Sequence, residues 1–181
     1  MKELFRKYKG VVVFLLLFSG TYLVLSLVYA GYLNWSDNGN LEADFVTNLV
    51  AQQSTVVLES FGYLAHIEPN PSQPSMQLFV EGRFLARIVE GCNAISVIIL
   101  FIAFVVAFSE TFKKTVLFIL AGTALIYAVN ILRIAILSIS LYHYPKYEHV
   151  LHGVVFPGLL YGMVFLLWFV WVRSLTPTTA T

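Results

Sequence analysis

Hydrophobic and polar positions fall into long blocks along this chain. An uncharged apolar run from Val11 to Leu33 is followed by a polar, net acidic stretch from Asn34 to Glu90. Three further apolar runs follow, at about 93–108, 115–141 and 153–172, separated by Ser109–Lys114 and by the hydrophilic segment Tyr142–His152. About 20 apolar residues suffice to cross a hydrocarbon core. The pattern predicts an all-α membrane protein: four transmembrane helices forming a single integral domain over residues 1–181. Val11–Leu33 is too long for the hydrophobic part of an ordinary leader peptide, about 7–15 residues, and is read as a retained anchor.

Within the polar stretch, Leu41, Phe45, Leu49, Gln52 and Val56 keep helical spacing behind the cap residues Asp37 and Asn38, predicting an amphipathic helix lying on the membrane. Pro69, Pro71 and Pro74 interrupt regular structure. Met76–Val80 and Arg83–Val89 flank Glu81-Gly82, a turn dipeptide, and predict a β-hairpin leading directly to Cys92.

Charge orients these segments. Lys2, Arg6, Lys7, Lys9, Lys113, Lys114 and Arg173 flank the apolar runs on what becomes one side, so both termini are expected in the cytoplasm and residues 34–90 outside it. Composition agrees with the class: 59% of residues are hydrophobic and 12% charged, with a mean hydropathy of +0.80. A net charge of +1 with no basic stripe gives no reason to expect a nucleic-acid partner. The single cysteine excludes an internal disulfide and a CxxC redox pair.

The expected topology brings three reactive groups to one depth. At 1.5 Å per helical residue, Arg133 lies roughly 27 Å above Thr115 and Cys92 about 25 Å above Ser109, near the outer edge of a core about 30 Å thick. His152 opens the last run from the same side. A thiol becomes a strong nucleophile when a cation stabilises its thiolate. Arg133 supplies such a cation, and equally a donor for an oxyanion. A histidine serves as proton shuttle. Arginine inside an apolar run is costly and is a functional candidate on that ground. Each residue also has a plain structural role open to it: Cys92 as a small buried hydrophobe, Arg133 snorkelling to headgroups, and Asn130, one turn before it, in a helix–helix hydrogen bond. His143, His149 and His152 lack companion ligands, so no metal and no cofactor is expected.

At these residues the chain resembles the exosortase/archaeosortase family, and within it the short exosortase-F-type branch. The resemblance rests on Glu90-Gly91-Cys92-Asn93 opening a span, Asn130-Ile131-Leu132-Arg133-Ile134 late in the next, and a histidine opening the last, and covers about residues 83–165. It implies a thiol-dependent transpeptidase or protease of the cytoplasmic membrane that acts on the C-terminal sorting signal of an exported protein. Carried over by position, Cys92 is the nucleophile, Arg133 the thiolate or oxyanion partner and His152 the proton shuttle. Glu90, Asn93, Asn130 and His149 support the site or bind substrate. The family's usual glycine two residues after the cysteine is Ala94 here.

The alternative from another class is a non-enzymatic assembly subunit that binds a partner through the acidic outer segment. A transporter is disfavoured, because Arg133 and Asn130 are among the few polar residues within the spans.

Overall fold

The computed structural model describes residues 8–36, 42–109 and 111–175, with the backbone alone at 152 and 156. The first apolar run is helix α1 (Lys9–Ser36), none of whose residues is buried against protein. Such a helix satisfies its own backbone and leaves its apolar side chains for lipid.

Helix α2 (Phe45–Ser60) starts at Asp44, whose carboxylate accepts the N–H groups of Val46 and Thr47. That is the usual N-cap device for otherwise unpaired donors. The caps expected at Asp37 and Asn38, together with Leu41, lie outside the described residues. Of the predicted apolar stripe, Phe45, Gln52 and Val56 are exposed and Leu49 is half-buried. A second stripe, Thr47, Val50, Ala51, Ser54 and Leu58, is the one buried in the protein.

Strands β1 (Ala65–Pro69), β2 (Met76–Val80) and β3 (Arg83–Ile88) form an antiparallel sheet in the order β1-β2-β3. The predicted hairpin is present, and both of its turn residues have positive φ, 52° at Glu81 and 72° at Gly82. That backbone twist matches a two-residue hairpin. The sheet has one strand more than expected. Pro69 ends β1 opposite Met76 rather than preventing it, a position proline tolerates on an edge strand. Leu64 and Glu81 extend the pairing: Glu81 N–H donates to the Leu64 carbonyl, and Leu64 N–H to the Glu81 carboxylate.

The remaining helices are α3 (Ile95–Ala107), α4 (Phe112–His143) and α5 (Phe156–Leu175). Before α5 the chain makes a 3-10 turn at Pro145–Tyr147, a helical turn at Glu148–Val150 and a π turn at Leu151–Val155. Among the described residues, three helical stretches, Lys9–Ser36, Phe112–His143 and Pro145–Leu175, are long and apolar enough to cross a membrane. The second expected span is shorter than its apolar run: α3 has 13 residues, about 20 Å of helix against a core of about 30 Å.

Two cores meet along α4. The helical one gathers Ala94, Ile98, Phe101 and Val105 with Ile126, Val164 and Trp171. Ring pairs hold it together, with Phe104 stacked on Trp168 at 4.4 Å and Phe118 on Trp171 at 4.7 Å. Gly122 on α4 lets α3 approach, since a Cβ there would overlap the buried Phe101 ring. The second core joins Val50, Ala51 and Leu58 of α2 to Met76, Leu78, Val80 and Ile88 of the sheet, and to Ile134 and Ala135 of α4. Cys92 packs against the edge of this second core, and Ala94, two residues on, belongs to the first.

Candidate functional site

The sheet delivers the chain to Cys92. After β3, Val89 stays extended, and Glu90–Cys92 form a 3-10 turn in which Cys92 N–H donates to the Val89 carbonyl at 2.8 Å. Ala94 then takes a left-handed conformation, φ 65° and ψ 2°, before α3 begins. Cys92 therefore stands on a turn, outside the helix, which corrects the helical placement used for its depth. The left-handed backbone also explains why glycine suits the Ala94 position, because a Cβ there costs roughly 1–2 kcal/mol.

Polar side chains pin this turn from both sides. Asn130, fully buried on α4, donates through Nδ2 to the Cys92 carbonyl at 2.7 Å. Asn93, 1% exposed, accepts Ile95 N–H through Oδ1 at 3.0 Å and donates through Nδ2 to the Tyr29 hydroxyl at 2.8 Å and to Thr47 Oγ1 at 3.2 Å. Thr47 in turn donates to Asp44. One network thus joins α1, the start of α2 and the cysteine turn. Sequence reasoning singled out Asn93 and Asn130 but not Asp44 or Thr47.

Cys92 and Arg133 line one cavity of about 260 Å³. Its walls are residues Phe84–Ile88 of β3, residues Ile134, Leu137, Ser138 and Leu141 of α4, and Glu148. The thiol is free and half-buried. Arg133 is half-buried, and its Nε, shut off from solvent, has no hydrogen-bond partner among the described residues. Guanidinium donors in such a position are available to an anion or a carbonyl oxygen. Glu148 brings a carboxylate to the same cavity, and among the described residues it makes no ion pair with Arg133 or Arg87. Glu148 was missed in the sequence, where it looks like an ordinary solvated loop charge.

The other expected site residues lie apart. Glu90 is exposed and lines a different cavity of about 180 Å³ with Asn34, Glu42 and Asp44. His149 is exposed and lines an open concavity with Pro145, Lys146, Glu148 and Gly153, not the Cys92 cavity. His152 lies within the π turn, and its side chain is outside the described residues. His143 shares a 2.8 Å hydrogen bond with the Tyr63 hydroxyl.

Apolar helices long enough to span a bilayer thus come with a thiol and a guanidinium that share one cavity at the junction of helices and sheet. The family model for transmembrane exosortases (EpsH type) matches residues 10–171. The chain belongs to the transmembrane exosortase family and is a multi-pass membrane protein. No curated protein and no solved structure matches it.

Proposed function

We propose that this chain is a cysteine-dependent sorting transpeptidase or protease, of the exosortase-F type, that cleaves the C-terminal sorting signal of an exported protein. The observation that carries the proposal is the shared cavity of Cys92 and Arg133, in a chain whose family is that of transmembrane exosortases. The Cys92 thiolate attacks the backbone carbonyl carbon at the cleavage point. Arg133 stabilises first the thiolate and then the oxyanion of the tetrahedral intermediate. Collapse of that intermediate breaks the C–N bond. The departing amine takes a proton from His152, leaving the substrate joined to Cys92 as a thioester. His152 then removes a proton from an incoming amine or water, whose attack releases the product and restores the thiolate.

His152 is chosen over His149 because His149 is exposed and lines a separate open concavity. We place the site at the outer face of the cytoplasmic membrane, with four membrane-inserted helices and residues 34–90 outside, following the distribution of lysine and arginine.

The test compares membrane and exported proteins of cells carrying the native chain with those of cells carrying Cys92→Ala. A protein with an apolar C-terminal segment and a basic tail should accumulate at its full length only in the variant. An unchanged set of C-termini, with the variant present in the membrane at native level, would overturn the proposal.

A further inference from the structure

β3 is an edge strand. It pairs with β2 on one side, and among the described residues no backbone hydrogen bond occupies its other side. Five consecutive residues, Phe84 to Ile88, line the cavity that holds Cys92 and Arg133. Successive side chains of a strand point to opposite faces. A cavity beneath one face would therefore meet alternate residues, and the irregularity opposite Leu78 and Phe79 adds one residue at most. The cross-strand pairs confirm that both faces contribute. Ala86 and Ile88 sit opposite Leu78 and Met76, on the buried face, whereas Phe84 and Arg87 sit opposite Phe79 and Gln77, on the other. A cavity touched from both faces runs along the strand's free edge.

We infer that the sorting signal binds as an extended strand added to the free edge of β3, with main-chain hydrogen bonds setting its register against Cys92. This inference rests on the transpeptidase reading and specifies how that site holds its substrate. The occupant is the peptide segment around the cleaved bond. Edge pairing suits it because backbone groups supply the affinity whatever the side chains, and pockets select alternate side chains. The cavity offers such a pocket in Leu137 and Leu141 of α4. The edge is also continuous with the chemistry: β3 ends at Ile88 and the nucleophile follows four residues later, with one extended residue and one turn between them. A peptide aligned on β3 is thereby carried to the thiol, in the cavity that Arg133 also lines.

The probe is the protein that accumulates in Cys92→Ala cells. The Cys92→Ala chain contains no cysteine, so Phe84→Cys or Arg87→Cys, both at exposed positions, introduces a single thiol. Single cysteines are walked through the probe's signal, and disulfide formation is scored in membranes. The expected result is crosslinking at alternate substrate positions, the period of a strand. Crosslinks every third or fourth position, or none from β3 although the native chain processes the same probe, would overturn edge pairing. A second measurement leaves the enzyme unaltered. Proline placed along the probe removes one N–H at a time, and processing should fall by about three- to tenfold at every second position near the cut, the worth of one or so hydrogen bonds. Equal loss at neighbouring positions contradicts the pairing. If no protein accumulates at full length in Cys92→Ala cells, the transpeptidase reading fails first, and the two failures are told apart.

Discussion

Asn130 holds the Cys92 carbonyl at 2.7 Å, and Arg133, one helical turn further along α4, lines the same cavity as Cys92. One face of one helix therefore fixes the backbone of the proposed nucleophile and presents its cation. Asn130→Ala should leave the part-buried Cys92 carbonyl without its donor, at about 1 kcal/mol. Processing and the rate of Cys92 alkylation by a small maleimide should both change, with the protein still in the membrane. A purely structural asparagine would lower abundance and leave the alkylation rate per molecule unaltered.

Arg133→Lys keeps the charge and loses the planar fork. Processing is expected to fall on the order of 100–1000-fold, the cost of one positioned oxyanion donor. Near-native processing by the lysine variant would mean that a point charge suffices and that no bidentate contact is made.

The three candidates near the last helix should separate by their places in the fold. His152→Ala is expected to cost roughly 100–10,000-fold and His149→Ala less than about tenfold, as measured by the rate of signal cleavage. Glu148→Gln keeps the shape and removes the charge from the cavity, and a loss of about tenfold or more is expected, in the range of a hydrogen bond to a charged group. A larger loss for His149→Ala than for His152→Ala would reverse the assignment.

Ala94 gives a test that rests on backbone geometry alone. At φ 65°, Ala94→Gly relieves left-handed strain of roughly 1–2 kcal/mol and gives up one buried methyl worth about 0.8 kcal/mol, so abundance and processing should stay near native. Ala94→Val adds a β-branch to the same conformation and should disrupt the Cys92 turn. Tolerance of valine, read as native abundance and processing, would mean that the turn is built otherwise.

The legible parts of this fold were those with local chemistry. Gly82, between two short apolar runs, announced the hairpin because glycine accepts positive φ at no steric cost, and the long spans announced themselves by length. Strand β1 was hidden because three prolines within six positions read as a breaker, although Pro69 needs only to end an edge strand. The cysteine turn was hidden differently. From Ala94 onward the composition is uniformly apolar, so hydropathy merges turn and helix, and only the glycine usual at position 94 hinted at the break. Cys92 and Arg133 could be assigned a depth from sequence, but their common cavity depends on helix rotation, which periodicity does not set in a run apolar all round. Glu148 and the Asp44–Thr47–Asn93 network come together only through tertiary packing.

The central claim is that Cys92 carries the substrate as a thioester. The most direct measurement is mass spectrometry of the Cys92 peptide from membranes quenched in acid during processing of the accumulated probe. A fragment of the probe, ending at its cleavage point, should be found on Cys92, released by hydroxylamine and absent from Cys92→Ser. Cleavage of the probe by Cys92→Ser at a near-native rate would contradict the claim.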